Sequence, residues 1–400
     1  MNRRRVAIGA TACAGLVLGA ALTLVVQTAA GSPEPPAPRE VAIDVSGPAA
    51  PSTFLVWVPR GLPAGFARAV GAMPKVDAIT VVAEDDVWLR RSWSSAGELV
   101  DDPPPTYRIP IDAAAVDPES FAAFVPPADR TRIASLAEGD AILGATSAAL
   151  RGLGPGAVLD IGGRRVRIAA VLPDELVGAA ELLVSTRLGA QIGITHDRYF
   201  LVHPSAGRRM TAIAFRARIR PLLPTTLGVN RAVQVRAPGQ TPFFRAGDAV
   251  LPPVIVKSLF GEFAARPGDA PGTLEIDPAW MASHLETTSV PVLGRITCNR
   301  GIVEQLRRAM TRVEAAGLAR TVTSFNGCFV PRHIGWSDEN MLSYHSWGIA
   351  FDTNVSTNYR GETPRQDPRL VRILARWGFQ WGGTWIVPDG NHFEFHRTVT

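Results

Sequence analysis

The 400-residue chain reads as an α+β protein, with two folded regions behind one apolar N-terminal segment. Three observations predict this. The length is more than one core ordinarily organises, and 46% hydrophobic with 19% charged residues is the composition of a packed protein. Residues 41–245 carry alternating apolar runs broken by glycine turns, which is the period of strands. Residues 246–400 mix two helix-period segments with short alternating runs. Trp280, Trp336, Trp347, Trp377, Trp381 and Trp385 all fall there.

In chain order, residues 1–5 (MNRRR) are a basic head. Residues 6–30 run from Val6 to Ala30 without a charge, long enough to cross a bilayer as a helix. The basic head keeps the N-terminus in the cytoplasm and sends the rest of the chain out. The run is longer than a usual signal-peptide core, so the expectation is an uncleaved, single-pass signal anchor in the cell membrane. The small residues of TAAGS leave cleavage and secretion as the alternative. Cys13 lies inside the apolar run, too early for a lipoprotein signal. Residues 31–40 (GSPEPPAPRE) are a Pro-rich, extended linker.

In residues 41–245 the sharpest unit is AVLDIGGRRVRIAAVLP. Two alternating runs flank Gly162-Gly163, a two-residue hairpin signal, with Val166 and Ile168 on one face and Arg165 and Arg167 on the other. AITVVAEDDVWL and DRYFLVHPS read as further strands. His196 and His203 stand alone, without the company a metal or a catalytic set requires.

In residues 246–400, GIVEQLRRAMTRVEAAGL reads as an amphipathic helix buried along Ile302, Leu306, Met310 and Val313, with Gly317 at its end. PRLVRILARWGF reads as a second, buried along Leu370, Val371, Leu374 and Trp377 and stopped by Gly378. Cys298 and Cys328 are the two cysteines of the exported part. A disulfide is the expectation for that compartment, and two buried thiols are the alternative. Their spacing fits no CxxC metal or redox motif.

Charge narrows the partners. With 41 basic and 36 acidic residues the net charge is +5 and the pI about 9.5. Almost every basic residue is Arg; the lysines are Lys75 and Lys257. A mild positive charge suits an anionic membrane or wall. No basic run with interleaved aromatics follows the first five residues, so no nucleic acid is expected.

Two stretches then raise a chemical question. SYHSWGIAFD places His345 seven residues before Asp352. Neither a straight helix nor a straight strand turns both towards one ion, whereas a strand bent at Gly348 does. Ala350 keeps the inner side small. Forty residues on, WGGTWIVPDGNHFEFH alternates His392, Glu394 and His396 on one strand face and Phe393 and Phe395 on the other. Asp389 precedes His392 by three residues, on the PDGN turn. A catalytic zinc takes three protein ligands and keeps one position open, and His345, Asp352 and His392 meet that demand. A carboxylate nearby that is not a ligand takes the proton from water, and Asp389 meets that. Two His and a carboxylate also make a non-haem iron site, but there His and carboxylate usually stand two apart.

SYHSWGIAFD resembles the SxHxxGxAxD signature of the VanX/VanY-type zinc D,D-peptidases, with Ser343, His345, Gly348, Ala350 and Asp352 at the fixed positions. WGGTWIVPDGNHFEF, and GCFVPR ahead of the first motif, resemble the branch that includes phage L-alanyl-D-glutamate endopeptidases. The resemblance runs from about Leu259 to the C-terminus. It implies Zn2+ held by His345, Asp352 and His392, Asp389 as general base, and Arg332 on the developing oxyanion. Other branches carry Glu where Asp389 stands. Glu394 is read either as a partner of His392 or as a solvent-facing or structural residue, Ser343 as orienting a neighbour, and His333 as a bystander beside Arg332. The activity implied is a zinc metallopeptidase on peptidoglycan stem peptides. It cuts either the terminal D-Ala-D-Ala bond or an internal L-Ala-D-Glu bond. The alternative is a wall-binding module that keeps the fold without catalysis. MPKVDAITVVAEDDVWL, LAEGDAILGATSAAL and LGPGAVLDIGGRRVRIAAVLP resemble the extracytoplasmic domain of MacB/FtsX-type permeases, which implies a binding or spacer role for residues 41–245 and leaves their protein partner unnamed.

Overall fold

The computed structural model describes residues 53–59, 61–205, 210–224, 233–237, 245–247 and 251–399. The expected apolar segment 6–30 and Pro-rich linker 31–40 lie outside the described residues. Among the described residues no helix is long and apolar enough to cross a membrane. The whole is mixed α+β, as the two periodicities predict.

Among the described residues, the alternating runs of the N-terminal region become nine strands: β1 (Phe54–Trp57), β2 (Val76–Trp93), β3 (Ile109–Val116), β4 (Asp140–Gly144), β5 (Val158–Ile161), β6 (Arg164–Leu172), β7 (Leu182–Ser185), β8 (Asp197–Pro204) and β9 (Gln234–Arg236). The β5–β6 hairpin turns on Gly162 and Gly163, both at positive φ (59° and 81°), the conformation a two-residue turn of this kind needs. Val166 and Ile168 are buried and Arg165 and Arg167 exposed, as alternation requires.

The strands form one sheet in the order β3-β7-β4-β6-β5-β2-β8-β1-β9, and β3 also pairs with β2. That extra pairing closes β2, β3, β7, β4, β6 and β5 into a ring. Its wall turns Leu89, Ile111, Leu143, Leu159, Ile168 and Val184 into a shared apolar interior. β2 makes this possible by its 18-residue length: one stretch pairs with β8, the next with β3 and the last with β5.

The C-terminal region is built from small sheets: β10 (Ala265–Pro267) with β11 (Leu274–Ile276), β12 (Leu285–Val290) with β13 (Gly294–Asn299), and β14 (Ala350–Asp352), β16 (His392–Phe395) and β15 (Phe379–Trp381) in that order. The two predicted helices span Arg300–Ala315 and Pro368–Arg376. The first buries Ile302, Leu306, Met310 and Val313. The second buries Leu370 and Leu374, with Val371 only half-buried at its edge. Gly317 and Gly378 follow at positive φ (70° and 76°).

The described residues lie within one compact unit, Pro38–Thr400. Charged side chains buried within it link the large sheet to the C-terminal region. Lys257 Nζ donates to Glu181 at 2.6 Å, to Glu262 at 2.8 Å and to the Pro110 carbonyl. Arg151 pairs with the same two glutamates. Burial alone would raise the Glu262 pKa; Lys257 and Arg151 outweigh it and hold it down to about 2. A second link is more local. Asp86, on β2, accepts a hydrogen bond from the Leu342 N–H at 2.7 Å. Burial, reinforced by the Asp112 carboxylate, raises Asp86 to about 7 against the pull of that N–H. Arg198 on β8 donates to the Glu339 carbonyl at 2.9 Å. The large sheet therefore grips the segment just ahead of His345.

Candidate metal centre

Asp352 and His392 meet because β14 and β16 pair antiparallel with Asp352 opposite His392. Opposed residues of such a pair share a sheet face, so the two side chains lie together. Phe351 and Phe393, the next pair, face the other way and stack with ring centroids 5.5 Å apart. Ala350 stands opposite Glu394, and its small side chain leaves the carboxylate room. Both faces of β16 are buried, and His396 falls one residue past its end.

His345 reaches the pair by a different route from the bent strand expected. Tyr344–Trp347 is a single 3-10 turn, and β14 starts only at Ala350. The Ser343 side chain caps the turn by accepting from the His345 N–H. Gly348 ends it at φ 69°, and a Cβ there would lie 2.9 Å from the Asn299 nitrogen. The break at Gly348 is where the spacing predicts it, but its form differs: one tight turn absorbs the odd spacing, and no strand bends there.

Three donor atoms converge. His345 Nε2 lies 3.3 Å from His392 Nδ1 and 3.3 Å from Asp352 Oδ1, and His392 Nδ1 lies 3.0 Å from the same oxygen. Among the described residues this is the one group of three that could hold a metal ion. Its spacing fits a small tetrahedral ion: ligands about 2.0–2.1 Å from a centre stand roughly 3.3–3.4 Å from one another.

The second nitrogen of each ring is anchored. His345 Nδ1 donates to the Cys328 carbonyl at 3.0 Å, which leaves Nε2 as the free lone pair. His392 Nε2 faces Glu394 Oε2 at 3.3 Å, so Nδ1 is the nitrogen turned to the centre, beside Asp352. Such outer partners orient metal-binding rings. Glu394 is buried, so its solvent-facing reading is overturned. Burial disfavours charge on His392, yet Asp352 and Glu394 outweigh it and hold its pKa up to about 10. Burial lowers the His345 pKa, against Asp352. The two carboxylates thus hold positive charge on His392, while burial keeps it off His345.

Cys328 and Cys298 form a disulfide with Cα atoms 5.0 Å apart, so the reading as two buried thiols is overturned. The bridge ties β13 to the loop whose carbonyl holds His345.

Asp389 stands beside the three donors without joining them. Its Oδ1 accepts from Asn391 Nδ2 at 2.9 Å. Burial raises its pKa above the usual carboxylate value, with His392 and Arg360 pulling down and Asp352 pushing up. Arg332 Nη2 lies 3.8 Å from Asp352 Oδ2, and its guanidinium lies 5.0 Å from the Trp336 ring centroid. Ser346 Oγ fixes the Arg332 backbone from both sides, accepting from its N–H at 3.0 Å and donating to its carbonyl at 3.1 Å. His333 bonds the Asn340 carbonyl at 2.7 Å and stays outside the cluster. His196 pairs with Asp85 and His203 with Thr53, both far along the large sheet. Sequence reasoning missed Ser346, Asn391 and Trp385, whose ring lies 5.2 Å from that of His392. All three flank motif residues in irregular segments, where no periodicity marks them.

Residues 337–395 match the D-alanyl-D-alanine carboxypeptidase family. No curated protein is matched by the sequence. Among solved structures the chain is similar to the periplasmic region of MacB from Actinobacillus actinomycetemcomitans, with 10% identity, TM-score 0.32, and coverage of 47% of this chain and 90% of that one. It is also similar to the extracellular domain of the ABC-type transporter YknZ from Gram-positive bacteria, with 14% identity, TM-score 0.30, and coverage of 46% and 99%. The stretch that supplies the three converging donors is, by its motif residues and by its family match, similar to the D-alanyl-D-alanine carboxypeptidases.

Proposed function

We propose that the chain is a zinc metallopeptidase of peptidoglycan stem peptides, held at the outer side of a membrane by residues 6–30. Residues 41–245 serve as its platform and residues 246–400 as its catalytic part. The observation that carries the reading is the convergence of His345 Nε2, His392 Nδ1 and Asp352 Oδ1 within 3.0–3.3 Å, each ring oriented through its other nitrogen.

A zinc ion held by these three residues would supply a Lewis acid for the scissile carbonyl and an acidified water. The chain does the rest. Asp389, its affinity for protons raised by burial, takes the proton of the attacking water and returns it to the leaving amine. Arg332 directs its guanidinium at the charge that grows on the carbonyl oxygen. Asn391 holds the Asp389 carboxylate in place, and Glu394 and the Cys328 carbonyl hold the two imidazoles.

Elemental analysis of the purified protein tests the site, and mass spectrometry of digested stem peptides tests the reaction. About one zinc per chain is expected, with loss of metal and hydrolysis in His345→Ala and in His392→Ala. Release of terminal D-Ala would mark a carboxypeptidase, and an internal cut an endopeptidase. Full zinc content in both variants would overturn the ligand assignment. Metal without hydrolysis would favour a non-catalytic wall-binding module.

The disulfide adds a further expected result. In a Cys298→Ser/Cys328→Ser variant the Cys328 carbonyl is less firmly placed, so His345 is less well oriented. Outer partners of metal-bound histidines are worth about 10- to 100-fold in metal affinity; weakening one should raise the zinc concentration for half-filling by up to about tenfold. A metal titration unchanged by the double substitution would show that the loop holds its shape alone.

A further inference from the structure

Between the two motifs the chain makes a turn that the catalytic reading leaves without a task. The Glu362 N–H donates to the Tyr359 carbonyl at 3.1 Å, and Gly361 takes a positive φ of 87°. This turn is fastened to the loop that carries Asp389. The Gly361 N–H donates to the Pro388 carbonyl at 2.6 Å, and Asn391 Nδ2 donates to the Asn358 carbonyl at 2.9 Å. The same Asn391 amide donates to Asp389 Oδ1, so one side chain sets the turn and the carboxylate together. The Asn358 side chain braces the turn from behind by accepting from the Arg365 N–H at 2.6 Å.

Arg360 sits between these fastenings. Its Nε lies 4.0 Å from Asp389 Oδ2, and its side chain is 47% exposed. Among the described residues no hydrogen bond engages its guanidinium, and Asp389 is its one ion contact. A fork of N–H donors is thus held next to the reacting centre with its hydrogen-bonding capacity unused. Arginine in that state matches a carboxylate in geometry as well as charge.

Distance selects which carboxylate. A base that returns a proton to the leaving amine stands about 2.6–3.2 Å from that nitrogen. The α-carboxyl carbon of the same residue is two bonds further on, roughly 2.5 Å from the nitrogen. A guanidinium 4.0 Å from the base is therefore within reach of that carboxylate. Both bonds considered above release such a residue. Terminal D-Ala ends in its α-carboxylate, and D-Glu linked onward through its γ-carboxyl keeps its α-carboxylate free.

We propose that Arg360 binds the free α-carboxylate of the residue released as the leaving amine, and so restricts substrates to stem peptides that carry this charge. The inference rests on the peptidase reading, and it adds that amidation of that one carboxyl blocks recognition.

Paired stem peptides, identical except for a free or amidated α-carboxyl on the leaving residue, test it on the full chain loaded with zinc. Hydrolysis and equilibrium binding by calorimetry are both read. A charge-assisted hydrogen bond is worth about 1.5–3 kcal/mol, so the free acid should be favoured roughly 10- to 100-fold in kcat/KM and in binding. Arg360→Gln should lose that preference by weakening the acid far more than the amide, and Arg360→Lys should recover part of it. Equal handling of acid and amide by the wild type would overturn the proposal. So would an equal loss on both peptides in Arg360→Gln, which would mean that Arg360 acts through Asp389. Acid-selective, Arg360-dependent binding without hydrolysis would sustain the carboxylate site and remove the peptidase reading. Hydrolysis without selectivity would do the reverse.

Discussion

Asp389→Asn is expected to abolish most hydrolysis while leaving zinc content near that of the wild type. The side chain lies outside the three converging donors, so the ion loses no ligand. The amide oxygen can still accept from Asn391, so the turn keeps its shape. What disappears is the capacity to take a proton. General-base catalysis is typically worth roughly 10²- to 10⁴-fold, and the fall in kcat should be of that order. Asp352→Asn should behave differently, because a neutral amide is a poor ligand: zinc content falls first and activity follows it. Measuring zinc and kcat on both variants separates the roles. Loss of metal in Asp389→Asn with retention in Asp352→Asn would mean that the two are exchanged. Full activity in Asp389→Asn would move the base to Glu394.

Lys257→Met carries the largest expected cost in stability. The side chains have similar volume, so packing is nearly conserved and the change isolates the charge. Lys257 is 1% exposed, as is Arg151, while Glu181 is fully buried and Glu262 is 17% exposed at the side chain. Two cations and two anions balance. Removing one partner of a buried ion pair leaves an uncompensated charge and typically costs about 3–5 kcal/mol. Here Glu181 and Glu262 would share one guanidinium, and the Pro110 carbonyl would lose its donor. Urea denaturation should show that loss. The double variant Lys257→Met/Glu262→Gln, which restores charge balance, should lie closer to the wild type than the single one. A Lys257→Met protein within about 1 kcal/mol of the wild type would show that water or rearrangement supplies what the ammonium does.

What could be read in the sequence was local. The β5–β6 hairpin was legible because its register is set by two glycines and two-residue alternation. The helices were legible from their apolar stripes, and the three donors from two short motifs. The ring of strands was not, because β2 changes partner twice along its length and nothing in AITVVAEDDVWL marks where. Nothing in that run tells where its acids, Glu84, Asp85 and Asp86, lie. Glu84 and Asp85 are buried and Asp86 half-buried because their partners, His196, Arg198 and Leu342 among them, come from more than a hundred residues away. Lys257 stood out only as a rare lysine among arginines. Its burial depends on Glu181, which no window around either residue contains. Arg360 sat in a segment without period, where only the fold shows which neighbour it meets.

The contact between the Cys328 carbonyl and His345 couples the disulfide to the donor cluster. The bridge to Cys298 spans 30 residues, so its closure removes conformational freedom from the loop that presents that carbonyl. With the bridge open, the His345 ring keeps its buried turn but faces a less constrained acceptor at Nδ1. On the proposed reading, a chain with reduced cysteines is expected to hold its metal less tightly than an oxidised one. The redox state of these two cysteines, and not the supply of metal alone, then sets how readily the site fills.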